Sequence, residues 1–252
     1  MKFGLIGHPT GHSLSPALFK AGYEGKYCYE LIESADFETA YDIFLDRFDG
    51  INVTSPFKEM AYAKADILSE ECKKIKAANI LMKTAEGIKA FNSDYLGVRK
   101  WLTETVEAYG QMKRVLIAGM GGAGKAAAAA AESLSMDTIL MNRTLYDDRI
   151  RPLSEFSMHF RDADIIIYCI PDAIRQIDDL TDCDLTSGKP RFILEANYKN
   201  PAFEKILLDK MKDGNTGTRY TGGKTWLLYQ AVTGYEIFTG EKPSLERMSA
   251  CL

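Results

Sequence analysis

The sequence predicts an α/β protein organised in two units, and three observations carry that expectation. Short β-rich runs alternate with helical ones almost throughout the 252 residues. A glycine-rich turn at 119–124 sits between a β-rich run and an alanine-rich helical one. Between the two halves, residues 95, 98, 101, 102, 106 and 109 are apolar, the spacing of one amphipathic helix that stops at Gly110. A chain of this length can bury one large core or two smaller ones.

In chain order the candidate strands are 3–7, 27–32, 50–54, 80–84 and 88–91, then 114–119, 138–142, 164–170, 192–196 and 219–222. Helical stretches fall at 37–48, 60–75, 95–109, 125–134 and 226–239. Strands that alternate with helices need crossover connections, which implies mostly parallel sheets. The alanines at 126–131 fit a helix packed close to its sheet, alanine being the best helix former.

Bulk composition excludes several classes of function. Hydrophobic content of 46% and charged content of 26% are those of a globular protein. A formal charge of −4 with no basic block argues against a nucleic-acid partner. Five scattered cysteines without a CxxC pair point to reduced thiols, and the three histidines lie in no metal-ligand spacing, so no metal is expected. MKFGLIG lacks the apolar core of a signal peptide, no run reaches transmembrane length, and the terminal SACL is not a prenylation box. A cytoplasmic protein without membrane contact is the expectation.

The stretch AGMGGAGKAA at 118–127 satisfies two phosphate-binding patterns. As Gly119-x-Gly121-x-x-Gly124 it is the dinucleotide fingerprint, and as Gly119-x-x-x-x-Gly124-Lys125 it is nearly a metal-dependent nucleotide-hydrolase loop. Position 126 separates them. The hydrolase loop needs Ser or Thr there to ligate Mg²⁺, and this chain has Ala126. In the dinucleotide reading Gly119 makes the tight turn, Gly121 lets backbone approach the pyrophosphate, and Gly124 permits close helix–strand packing. Lys125 is then a helix-start lysine near the pyrophosphate. The next strand ends in Asn142-Arg143-Thr144 rather than in the acid that holds a ribose 2′-hydroxyl. An arginine there suits a 2′-phosphate, which favours NADP over NAD.

Three polar clusters follow strands in the N-terminal half. GHPTGHSLSP places Ser15-Pro16 as a helix cap and first residue, with the Ser13 and Ser15 hydroxyls able to hold a carboxylate; ordinary cap chemistry explains the same residues. GINVTSPFKE repeats the pattern, with Lys58 in a first helical turn, and FNSDYLG puts Asp94 at the start of the next helix. Polar residues at the carboxyl ends of parallel strands are where α/β proteins bind ligands.

With these stretches the chain resembles shikimate dehydrogenases over nearly its whole length. The matches are GHPTGHSLSP for GxPxxHSxSP, GINVTSPFK for GxNVTxPxK, AAN for GAxN, NSD for NTD, GMGGAGK for GAGGAx, NRT for NRT and GGKTWLLYQA for GxxMLxxQA, all in the family's order. The resemblance implies NADP(H)-linked interconversion of 3-dehydroshikimate and shikimate, with Lys58 and Asp94 as the catalytic pair. It implies substrate contacts from Ser13, Ser15, Thr54, Asn79, Tyr198 and Gln230. It implies cofactor contacts from Gly119, Gly121, Gly122, Ala123, Asn142, Arg143, Thr144 and the backbone of Gly223. It also implies a discontinuous substrate domain, 1–98 plus 226–252, around a Rossmann-like domain at 99–225, with a cleft that closes on substrate.

The residue chemistry agrees with those roles. Reducing a ketone develops alkoxide charge, which a cation or proton donor stabilises. At Lys58 the helix N-terminus opposes a cation and the Asp94 carboxylate favours one, so general base and electrostatic stabiliser both stand open. Neutral donors such as Asn79 and Gln230 suit a polyhydroxylated ring. The chain also departs from the family's pattern: Phe19-Lys20 replaces His-Asn, Tyr168-Cys169-Ile170-Pro171 replaces Asn-Ala-Thr-Pro, and Trp226 replaces Met. Asp147 stands where a second basic residue is usual, leaving Arg143 as the main 2′-phosphate partner with Arg149 or Arg151 as helpers. Quinate use, NAD use and a non-catalytic dinucleotide-binding module are the alternatives; monomer and homodimer both remain open.

Overall fold

The structure is a computed structural model that describes residues 1–110, 112–186, 190–203, 208–209 and 217–252. The chain forms two compact units: Met1–Gly97 with Leu228–Leu252, and Val98–Leu227.

The first unit carries strands β1 (Lys2–Gly7), β2 (Cys28–Glu33), β3 (Gly50–Val53), β4 (Ile67–Leu68), β5 (Ile80–Thr84) and β6 (Gly87–Phe91) in the order β2-β1-β3-β5-β6-β4. β1 pairs in parallel with β2 and with β3, but β5 is antiparallel to both β3 and β6. With β4 parallel to β6, this sheet is mixed, three of its five pairings being parallel. Only Ala85 and Glu86 separate β5 from β6, with Thr84 opposite Gly87, and so short a link can only make a hairpin. Its helices are α1 (Ser15–Gly22), α2 (Phe37–Arg47), α3 (Lys58–Lys64) and α4 (Glu70–Ile75).

The helix expected at 60–75 is two helices with a strand between them. Ala65 turns to an extended conformation, and Ile67-Leu68 add an edge strand to β6, with Asp66 N donating to Ile88 O and Ser69 N to Ala90 O. Sheet pairing overrides helical spacing here. The serine–proline sites also differ from expectation. Leu14, not Ser15, is the N-cap of α1. Ser55-Pro56 lies in a turn closed by Phe57 N to Thr54 O, and α3 starts at Lys58.

Leu228–Leu252 completes this unit's packing. Phe238 stacks on Phe3 at 4.9 Å between ring centroids, and Tyr23 donates its hydroxyl to Tyr235 O at 2.9 Å. Burying an aromatic ring of this kind contributes about 1.5–3 kcal/mol.

The second unit has strands β7 (Arg114–Ala118), β8 (Asp137–Asn142), β9 (Ile150–Pro152), β10 (Ile165–Tyr168), β11 (Arg191–Glu195) and β12 (Thr218–Thr221), ordered β12-β11-β10-β7-β8-β9 and parallel throughout. That is the strand order of a doubly wound dinucleotide fold. The helices after β6 are α5 (Ser93–Tyr109), α6 (Gly122–Ser133), α7 (Phe156–Asp162), α8 (Arg175–Asp178), α9 (Asp182–Leu185), α10 (Gly223–Thr239) and α11 (Leu245–Ser249). α6 begins three residues ahead of the expected 125 because glycine-rich backbone already enters the helix, and Ala126–Ala131 are all buried on its sheet. α10 likewise starts at Gly223, not at 226. Among the described residues no helix is long and apolar enough to cross a membrane.

Candidate active site

Strand direction decides where the polar residues of the first unit gather. β5 runs back beside β3 with Ile80 opposite Asn52, and β6 runs forward with Phe91 opposite Ile80. The segments after β1, β3 and β6 and the residue before β5 therefore share one sheet edge. Those segments carry Ser13 and Ser15, Thr54 and Lys58, Ser93 and Asp94, and Asn79.

Lys58 opens α3 and its Nζ donates to Asp94 Oδ2 at 2.6 Å, the side chains being only 25% and 16% exposed. Asp94 lies in the first turn of α5, the end of a helix that favours a carboxylate. α5 is capped by buried Asn92, whose Oδ1 accepts from Tyr95 N at 3.1 Å while Nδ2 donates to Ala77 O at 3.0 Å. The cap thus ties Asp94 to the segment that carries Asn79.

Hydrogen bonds join the neutral residues into one chain. The Tyr29 hydroxyl donates to Asn52 Oδ1 at 2.7 Å, and Asn52 Nδ2 donates to Asn79 O at 3.3 Å. Asn79 Oδ1 accepts from Ser93 N at 2.7 Å, and the Ser93 hydroxyl donates to Gln230 Oε1 at 3.0 Å. Ser13 Oγ donates to Ser15 Oγ at 3.1 Å and accepts from Ser15 N, while Tyr235 donates its hydroxyl to Ser15 O. Burial pushes the Tyr29 and Tyr235 hydroxyls well above their ordinary range, so both remain neutral donors. The Ser13 loop is fastened by Glu33, whose Oε2 accepts from Thr10 N at 2.9 Å and Gly11 N at 3.1 Å. Tyr29, Glu33, Asn52, Asn92 and Ser93 are given no role by the sequence, although Asn52 lies within GINVTSPFK and Asn92 and Ser93 within NSD. Only the Asn92 cap carried a local signal there, asparagine directly ahead of a helical pattern.

In the second unit the glycine turn has the shape of a phosphate cradle. Gly119 has φ +93°, and a Cβ there would lie 2.8 Å from Ile170 Cγ1. A Cβ on Gly124 would lie 1.7 Å from Gly119 O, so no side chain fits. A Cβ on Gly121 or Gly122 would meet nothing within 4 Å. Gly121 caps α6, leaving the first-turn amides of Gly122 and Ala123 without intrahelical acceptors. Asn142 braces this turn: Oδ1 accepts from Met120 N at 3.2 Å and Nδ2 donates to Thr144 O at 3.1 Å. Arg143 and Thr144 are exposed beside it. Arg149 lies 3.4 Å from Asp147 and 3.6 Å from Glu132.

Tyr198 and Gly223 belong to this unit. A Cβ on Gly223 would come within 2.7 Å of Tyr198 N, so α10 starts in backbone contact with the segment after β11. Tyr198, Asn197, Tyr220, Gly223 and Thr225 line a cavity of about 240 Å³. Buried Glu195 accepts from the hydroxyl of Tyr220, one of the lining residues, and from Ala202 N. Among the described residues no cluster of three or more His, Cys, Asp or Glu is placed to hold a metal ion.

Residues 5–81 match the model of the shikimate dehydrogenase substrate binding domain. The chain is 30% identical over 277 residues to the shikimate dehydrogenase (NADP(+)) of Methanosarcina mazei, covering 98% of this chain and 95% of that protein. The chain belongs to the shikimate dehydrogenase family. A second shikimate dehydrogenase (NADP(+)), from Pyrococcus abyssi, is 28% identical over 261 residues, 98% of this chain and 95% of that one. The Mycobacterium tuberculosis shikimate dehydrogenase superposes with a TM-score of 0.81 at 26% identity, covering 99% of this chain and 98% of its own. Shikimate dehydrogenase relatives thus match both units, although the domain model ends at β5.

Proposed function

We propose that the protein is a shikimate dehydrogenase, reversibly reducing 3-dehydroshikimate to shikimate with NADPH in the chorismate route to aromatic amino acids. The observation that carries this reading is the half-buried Lys58–Asp94 pair, 2.6 Å apart on a sheet edge crowded with neutral donors. A sensor that only binds a dinucleotide has no use for such a pair.

The cofactor supplies hydride when bound. Gly119 makes the turn, its own N–H donating to Met141 O at 2.8 Å, and the backbone amides of Gly121, Gly122 and Ala123 would hold the pyrophosphate, a fit supported by the open space beside Gly121 and Gly122. Asn142 keeps that turn in shape, Arg143 and Thr144 would take the 2′-phosphate, and the Gly223 backbone would meet the carboxamide. Arg143 has no ion-pair partner among the described residues, which suits a guanidinium reserved for an anion.

On the substrate, Lys58 stabilises the developing alkoxide and gives it a proton; in the reverse direction it takes the hydroxyl proton back. Asp94 holds the Lys58 ammonium in place. The Ser13 and Ser15 hydroxyls take the carboxylate, and Thr54, Asn79, Tyr198 and Gln230 take the ring hydroxyls. A site built on such bonds rejects analogues that lack them, because its own polar groups are left unpaired. The reading also assigns a cytoplasmic setting, supported by five cysteines outside any disulfide, and a monomer or homodimer.

The test is a spectrophotometric assay of purified protein with shikimate or quinate and NADP⁺ or NAD⁺. Turnover is expected with shikimate and NADP⁺ and should be weaker with NAD⁺. Absence of turnover in all four combinations would overturn the reading, and preference for quinate would shift it to a quinate dehydrogenase.

A further inference from the structure

We propose that Glu195 and Asn197 are positioning residues that close the segment 196–201 into a fixed loop and thereby present the Tyr198 hydroxyl to a ring hydroxyl of the substrate. The inference rests on the proposed dehydrogenase reading, which gives Tyr198 that contact.

Glu195 is the last residue of β11 and is completely buried. A carboxyl group there is costly unless its oxygens are hydrogen-bonded, and both are. Oε1 accepts from Ala202 N, just past the loop, and Oε2 bonds the Tyr220 hydroxyl on β12. A main-chain N–H can only donate, so the closure through Ala202 is the same for an ionised or a protonated carboxyl; only the Tyr220 bond can reverse. Asn197 fastens the middle of the loop. Its Nδ2 donates to Pro171 O and Asn200 O, both at 2.7 Å, and its Oδ1 accepts from Lys199 N at 3.0 Å and Asn200 N at 3.2 Å. Carbonyls only accept and main-chain N–H groups only donate, so this carboxamide has one orientation. At the loop's start Ala196 N donates to Tyr168 O at 2.8 Å.

Those bonds hold the loop's main chain and leave the Tyr198 phenol out. It has no hydrogen-bond partner among the described residues, and burial pushes its hydroxyl above the ordinary value, so it stays protonated near neutrality. It lines the cavity of about 240 Å³ together with Tyr220 and Gly223. Toward α10 the loop has no room to shift, because a Cβ on Gly223 would lie 2.6 Å from Ala196 O and 2.7 Å from Tyr198 N. A phenol both donates and accepts, so it meets a ring hydroxyl in either sense.

The experiment is steady-state kinetics and NADP⁺ calorimetry on Glu195→Ala, Glu195→Gln, Asn197→Ala, Tyr198→Phe and Glu195→Ala/Tyr198→Phe, with NMR of tyrosine-labelled protein. Losing one neutral hydrogen bond should raise the shikimate KM of Tyr198→Phe about 5–10-fold, with kcat within about twofold of wild type. Glu195→Ala should approach the same KM and add nothing to Tyr198→Phe. Glu195→Gln keeps an oxygen for Ala202 N and should recover most of the loss. Asn197→Ala, at a partly exposed position, should raise the shikimate KM about threefold and decides the matter if Glu195→Ala fails to fold. NADP⁺ affinity should stay within about twofold in every variant, since its phosphates are assigned to the turn before α6. An unchanged shikimate KM in the loop variants, full additivity in the double variant, or NADP⁺ binding lost along with substrate would overturn the proposal. A wild type inactive on shikimate would instead defeat the functional reading. The Tyr198 ring signal, identified by its loss in Tyr198→Phe, then decides on the loop: it should move in Glu195→Ala and Asn197→Ala, and an unmoved signal would overturn the positioning role.

Discussion

Lys58 sits where its own helix opposes it, at the first residue of α3, and Asp94 offsets that with a carboxylate at the favoured end of α5. In the proposed reaction, removing the lysine takes away both the charge and the proton source at the reacting oxygen. Lys58→Ala should therefore lower kcat about 10²–10³-fold with a much smaller change in KM, measured by steady-state kinetics; a near-normal kcat would rule out the catalytic role. Arg143 should matter to the other ligand. Arg143→Ala is expected to raise the NADP⁺ KM about tenfold while leaving NAD⁺ kinetics almost unaltered, because only NADP⁺ carries the 2′-phosphate. Glu33 acts through the Ser13 loop. Main-chain N–H and hydroxyl donation from Thr10 holds its carboxyl below the ordinary value, so the fastening is intact above the usual carboxylate range and is lost as pH falls through that lowered pKa. Glu33→Ala should loosen the loop at all pH values and raise the shikimate KM about threefold, and an unchanged KM would show that the loop holds its shape unaided.

Two elements show how local chemistry becomes a structural requirement. The turn between β7 and α6 allows no side chain at Gly124, where a Cβ would overlap Gly119 O at 1.7 Å. Gly124→Ala should lift α6 off its sheet, abolish NADP⁺ binding by calorimetry, and destabilise the second unit by about 2 kcal/mol or more. The short helix α9 is held by Asp184, which accepts from Thr181 N at 2.9 Å and from Arg161. The Arg161 contact leads in lowering its carboxyl from 3.8 to about 2. Its contribution is present above the unfolded value and is lost as pH falls from about 4 to about 2. Asp184→Asn should cost up to about 2 kcal/mol near neutrality, and the deficit should shrink in acid, as denaturant melts at pH 7 and pH 2.5 would show. Elements were legible in the sequence where local preference and tertiary pairing agree, as at β5 and α2. At 60–75 they disagree, and the edge of β6 won the backbone groups of Ile67-Leu68.

The whole molecule is two units with a sheet each, the first mixed and the second wholly parallel. Assigning the dinucleotide to Val98–Leu227 predicts that NADP⁺ slows amide exchange first around β7, α6 and the end of β8. Shikimate alone should protect the segments after β1, β3 and β6, and protection in the reverse pattern would contradict the assignment. By itself the sequence determined the alternation of strands and helices, the glycine turn that only a dinucleotide pattern satisfies without Mg²⁺, and the presence of a lysine and an aspartate each at the start of a helix. Those are local facts, set by residue size, charge and chain spacing. Tertiary structure alone decided that Lys58 and Asp94 lie 2.6 Å apart, and that Arg149 belongs to Asp147 and Glu132. It alone decided that Ser93 joins Asn79 to Gln230. Each of the active-site contacts connects segments far apart in the chain, and whether such side chains meet depends on strand order and helix approach. Those are fixed by what the core buries, and no local spacing encodes them.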